Sequence, residues 1–183
     1  TLVDLVRASL GSGALPDARR LAECDWRGLF LLASHHGLAP TLYHALRDHA
    51  GGVPPERHKR LKALYAANVF RNQLFRAGVE EIGAAFAREQ IPFVVTGRAT
   101  LACAPLGDPG LGAAEPIGLL VGEGDVERAG APLRQLGYAP REGEVVDRRG
   151  RPSRMHLGYR RPRAESVPLD LHWRLVEPYQ PYL

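Results

Sequence analysis

Asp170 and His172 are the two side chains of this sequence best placed to do chemistry together. They stand two residues apart in Val167-Pro168-Leu169-Asp170-Leu171-His172-Trp173. The alternation with leucines reads as a strand, on which residues i and i+2 share a face. A carboxylate beside an imidazole can exchange a proton with a substrate, so both are candidate catalytic residues. Asp170 is also the candidate metal ligand. Alone it makes a poor magnesium site, because Mg2+ takes one or two carboxylates together with substrate phosphates. The structural alternative is that His172 and Trp173 only anchor the last strand.

A second candidate is Gly97, which follows an apolar run and precedes a short helix-like stretch. That geometry can offer backbone N–H groups to a phosphate, and Arg98 would add positive charge. A turn glycine explains Gly97 equally well. From Arg148 to Arg163 there are seven arginines and one histidine, with no acid among them. This reads either as a basic hairpin for phosphate or an acidic partner, or as a solvated loop. Its aromatic content is Tyr159 alone beside His156, which does not support stacking on single strands. His35, His36, His44, His49 and His58 lie in helical segments without the i, i+4 pairing of a zinc motif. No Gly-x-Ser-x-Gly element is present.

Length and composition bound these readings. The chain has 183 residues, 45% of them apolar and 24% charged, with a formal net charge of +4. That suits one domain, or a small domain with a helical extension. Lys59 and Lys62 are the only lysines, so arginine carries the basicity, and the charge alone is not a nucleic-acid signature. No stretch approaches the roughly 18 apolar residues of a membrane span, and the N-terminus lacks the features of a signal peptide. Cys24 and Cys103 are read as reduced thiols of a cytoplasmic protein.

The first ninety residues read as helices. Pro16-Asp17 opens one. Asp25 caps another, which carries Trp26, Leu29 and Phe30 and stops at Gly37. Pro40 opens a short helix that ends at Gly51-Gly52. From Pro54 a long helix places Leu61, Tyr65, Asn68, Asn72, Phe75, Val79, Ile82 and Phe86 on one stripe. Buried asparagines must be paired, so Asn68 and Asn72 are expected to bond across a helix or sheet contact. The alternative places Asn72 in a cleft over the sheet. After Gln90 the period becomes extended. Ile91–Val95 and Ile117–Val121 read as strands, separated by a helical turn over 98–104 and a Gly/Pro-rich loop over 106–114. A helix over 125–135 stops at Gly137. Tyr138, the Met155–Arg160 run and the segment around Asp170 complete a sheet of four or five strands.

Three of these pieces, IPFVVTG, EPIGLLV and VPLDLHWR, in this order and spacing, resemble the family of uncharacterised nucleotidyltransferases with a DNA-polymerase-β-like fold. The N-terminal DWRGLFLLASHHGLAPTLYHAL resembles the same family's Trp…His-x-x-x-Pro…Leu pattern, and Asn72 matches an asparagine in it. The resemblance implies an α+β protein. Residues 1–90 would form a helical region packed on the core. Residues 91–183 would form a small mixed-sheet nucleotidyltransferase-like domain flanked by helices, shortened at the C-terminus relative to the family. It also implies Mg2+ and a nucleoside triphosphate as cofactor and substrate.

Against that pattern, Pro116 and Gly118 occupy the places of the paired strand aspartates. Thr96 occupies that of a lysine, and Gly112 or Ala113 that of an arginine. Only Asp170 remains of the acidic set. Glu115, Asp108 and Glu123 are the nearby acids that could substitute. Two functions follow as expectations. One is a binding or repurposed module that has lost metal-dependent transfer. The other is an active enzyme, either a Mg2+-dependent nucleotidyltransferase or one that uses Asp170 and His172 in the same cleft. The expected partners are a nucleotide, another small molecule or a protein, with nucleic acid disfavoured and no membrane.

Overall fold

The computed structural model describes residues 1–48, 51–97, 108–111, 116–141, 156–162 and 167–175. These contain helices α1 (Leu2–Ser9), α2 (Ala18–Ala22), α3 (Trp26–His35), α4 (Ala39–Leu46) and α5 (Pro55–Arg88). Strands β1 (Phe93–Thr96) and β2 (Ile117–Val121) follow, and a short 3-10 turn leads into α6 (Val126–Gln135). Strands β3 (Ala139–Pro140), β4 (His156–Arg160) and β5 (Leu169–His172) come last. By packing, the chain forms two compact units, Thr1–Gln73 with Leu101–Ala114, and Leu74–Thr100 with Glu115–Leu183. The division falls within α5, so each unit takes part of that helix.

In the first unit, local chemistry sets the helix ends. The Asp25 carboxylate accepts hydrogen bonds from the N–H groups of Arg27 and Gly28 at the start of α3, a cap that contributes about 0.5–2 kcal/mol. Gly37, at φ +67°, ends the same helix. Between these points Trp26, Leu29, Phe30 and Ala33 recur at helical spacing, and all are buried. They pack with Leu5, Leu21, Leu42, Leu46 and Leu61 into one core. The indole N–H of buried Trp26 donates to the Leu21 carbonyl, which removes the cost of burying it.

The second unit is a five-stranded mixed sheet in the order β1-β2-β5-β4-β3. β2 and β5 are parallel, and the other pairs are antiparallel. The first ladder begins at Phe93, two residues later than the apolar run suggests, because Pro92 has no N–H to give. Ile91 is instead buried, its N–H bonded to the Phe86 carbonyl at the end of α5. One face of the sheet carries Ile117, Leu119, Val121, Leu169 and Leu171, packed with Phe75, Ile82 and Phe86 of α5 and Leu133 of α6. The other face carries the residues of chemical interest. Among the described residues, no helix is long and apolar enough to cross a membrane.

Candidate functional site

Pairing in the sheet sets three of the motif positions in one row. Thr96 of β1 pairs with Gly118 of β2, and Gly118 pairs with Asp170 of β5. The row continues to Gly158 of β4. One step of two along each strand, on the same face, lie Val94, Leu120, His172 and His156. Asp170 and His172 therefore share a face, as their spacing requires. They sit on the side opposite the apolar core.

The surroundings of Asp170 decide what it can do. Its Oδ1 accepts a charge-assisted hydrogen bond from the guanidinium of Arg141, at 2.5 Å. Both side chains are less than a third exposed, at 23% and 28%, so this pair is shielded more than an ordinary surface ion pair. Arg141 reaches Asp170 because its own N–H donates to the Gly158 carbonyl, which prolongs the antiparallel contact just beyond β3. The residue missing from the sequence reading is thus Arg141. Nothing in its local sequence marks it, since only the β3–β4 register brings it beside Asp170.

The two positions where the family pattern has aspartates offer no substitute carboxylate. Pro116 has no donor atom in its side chain. At Gly118 a Cβ would fall well inside van der Waals contact of Thr96 Oγ1 and 3.0 Å from the Thr96 carbonyl oxygen. The Thr96 side chain thus fills the space that a longer residue at 118 would need. A Mg2+ ion needs a cluster of oxygen ligands. Among the described residues, no group of three or more His, Cys, Asp or Glu is placed to hold a metal. The described residues of this face therefore do not fit the Mg2+ that the resemblance implies.

His172 is half-buried, and its pKa is lowered below 6.5. Loss of solvation is the main cause and the nearby His156 adds to it, while Asp170 opposes both. The imidazole is neutral at pH 7. The rings of His156 and His172 face each other across β4 and β5 with centroids 5.1 Å apart.

The other candidates separate. Gly97 follows β1 at φ +105°, a left-handed turn that suits glycine. Arg98, Cys103, Gly112, Ala113, Glu115, His49 and the arginines from 148 to 154 lie outside the described residues. Arg161 of the basic segment pairs with Glu81 and lies over the Tyr138 ring at 4.2 Å, so it is packed inside the second unit. Glu123 is exposed and pairs with Arg174.

Asp108 is committed elsewhere. It accepts from the Tyr65 hydroxyl and faces His44 Nδ1, both at 2.7 Å, and it accepts from the Gly110 N–H. Burial works against its charged form. The hydrogen bonds from Tyr65, Gly110 and His44 outweigh that and lower its pKa. Tyr65 is pushed up to about 12, first by burial and then by the Asp108 carboxylate. Gly110 lies against the Tyr65 ring so closely that a Cβ would enter it. The same turn answers the two asparagines. Asn68 donates to the Gly110 carbonyl and Asn72 to the Pro109 carbonyl. Both donate to the backbone of a loop. No signal in the sequence links His44, Tyr65 and Asp108, which stand 64 and 43 positions apart.

The mixed sheet with flanking helices, and the row formed by VVTG, PIGLLV and LDLHW, define an α+β protein of nucleotidyltransferase-like fold. Residues 22–183 match the family described as uncharacterised nucleotidyltransferase, and the chain belongs to that family. No curated protein matches it.

Proposed function

We propose that this chain is a nucleotidyltransferase-fold module that has lost metal-dependent nucleotidyl transfer and uses the face around Asp170 for binding. The observation that carries this reading is the Arg141 guanidinium on Asp170, the last acid of the expected set. Phosphoryl and nucleotidyl transfer depend on metal ions that neutralise phosphate charge and orient the attack. A carboxylate already neutralised by an arginine is a weak ligand for such an ion. The chemistry would further need side-chain oxygen ligands at 116 and 118, and neither Pro116 nor Gly118 has one. The ligand to expect on this face is a nucleotide or another small molecule held without Mg2+.

A second reading has one observation in its favour. The neutral imidazole of His172 sits on the same face as Asp170, which suits acid–base chemistry of another kind. That reading requires the Asp170→Asn and His172→Ala variants to lose an activity.

The deciding experiment is a titration of the chain and of its Asp170→Asn variant with Mg2+ and with ATP, CTP, GTP and UTP, alongside a transfer assay. The proposal expects no Mg2+-dependent transfer and the same weak Mg2+ response from both proteins. Mg2+-dependent transfer that the Asp170→Asn variant lacks would overturn it.

A further inference from the structure

On the Asp170 face, the row next to the Thr96–Gly118–Asp170 row carries two imidazoles side by side. His156 of β4 and His172 of β5 are direct cross-strand partners. Both residues are half-buried. Their centroids lie 5.1 Å apart with the planes tilted by 34°.

That spacing suits chelation. A divalent transition metal sits about 2.0–2.1 Å from an imidazole nitrogen. Two rings bound to one such ion at a tetrahedral angle have centroids roughly 5 Å apart by the same bond length. The backbone already supplies the alignment, because opposed residues on adjacent antiparallel strands keep their side chains in register. The cost of bringing two ligands together is therefore met by the sheet.

We propose that His156 and His172 form a two-histidine site for a borderline divalent transition metal of the Zn2+ or Cu2+ class, with solvent or a small ligand in the remaining positions. Imidazole donors favour such ions over Mg2+, which prefers oxygen. The site uses other residues than the expected carboxylate cluster. It stands whether or not nucleotidyl transfer is retained.

The test is calorimetric titration of the full chain with Zn2+, repeated on His156→Gln and His172→Gln, which keep polar bulk at each position. His35 and His36 also have adjacent rings, 5.0 Å apart, so a His35→Gln/His36→Gln double variant is the control. The expected result is one site in the parent chain, weakened at least tenfold in both His156→Gln and His172→Gln and kept in the control. Cu2+ electron paramagnetic resonance on the same proteins should show two coupled imidazole nitrogens in the parent and control, and one in each single variant. Zn2+ affinity unchanged by either single substitution, or no Zn2+ binding by the parent, would leave the pair as simple ring packing and overturn the proposal. A Cu2+ spectrum that follows His35 and His36 would do the same.

Discussion

Substituting Gly118 with alanine should destabilise the second unit, and the effect should depend on Thr96. A Cβ at 118 meets Thr96 Oγ1 well inside contact distance, with the Thr96 carbonyl oxygen next at 3.0 Å. Overpacking of this kind costs about 1–3 kcal/mol. Replacing a strand glycine by alanine recovers roughly 0.5–1 kcal/mol of backbone entropy. The net loss for Gly118→Ala is therefore about 0–2.5 kcal/mol, with a middle value slightly above 1 kcal/mol. Thr96→Ala removes the nearer of the two obstacles. In that background Gly118→Ala should lie within about 0.5 kcal/mol of neutral, which gives a coupling of about 1 kcal/mol in a double-mutant cycle. Guanidinium denaturation of the four proteins, followed by tryptophan emission, measures it. Trp26 lies in the first unit and Trp173 in the second, so the Trp173 signal carries the relevant transition. Equal costs for Gly118→Ala with and without Thr96 would refute the idea that the threonine occupies the space of residue 118.

Two further outcomes concern the first unit. Asn68→Ala and Asn72→Ala should each lower stability in urea by about 1–3 kcal/mol, since each leaves a loop carbonyl unpaired. Asn72→Ala should be the milder, because the buried Asn72 Oδ1 has no hydrogen-bond partner among the described residues and its loss recovers part of the desolvation cost. Tyr65 gives a pH signature. Its pKa is raised from 10.0 to about 12 in the folded chain. The unfolded chain thus loses its proton first, and stability falls as pH rises through that window. Denaturation midpoints across it should show a shallower decline for Tyr65→Phe. Parallel profiles for the two proteins would exclude Tyr65 as the source.

The elements were legible where one physical rule dominates. Ile117–Val121 is a strand with the bounds its apolar run suggests, because four of its five residues are buried in the sheet. The stripe on α5 was visible from spacing alone, and six of its eight positions are buried, Tyr65 and Val79 being half-buried. Asp25 and Gly37 end α3 through capping chemistry that is local in sequence. The shared face of Asp170 and His172 follows from the period of a strand. What could not be read was register. Arg141 meets Asp170 only because β3 and β4 pair as Ala139 with Arg160 and Pro140 with Tyr159. His156 meets His172 for the same kind of reason. A one-residue slip would send these side chains to the other face, and no local pattern specifies which partner lies opposite. The destination of Asp108 was equally hidden. Its partners come from α4 and α5, so a loop aspartate that looked available in sequence is in fact tied to a tyrosine and a histidine.

The face around Asp170 is better understood as a matched set than as a site with individual residues missing. Gly118 is favoured because Thr96 leans over it. Thr96 can lean there only because residue 118 has no side chain. Arg141 sits by Asp170 where it neutralises a half-buried carboxylate that would otherwise be costly to desolvate. Restoring an aspartate at 118 alone would place a second carboxylate against Thr96 and beside the Asp170 of the neighbouring strand. The Arg141 charge would then be shared between them. A carboxylate at 118 is therefore disfavoured while Thr96 and the Arg141–Asp170 pair stand as they are. A carboxylate cluster on this face would need oxygen ligands at 116 and 118, room beside Thr96, and an Asp170 released from Arg141. This mutual dependence is why the loss of transfer is proposed for the face as a whole, and why the Thr96–Gly118 cycle is the measurement that tests its physical basis.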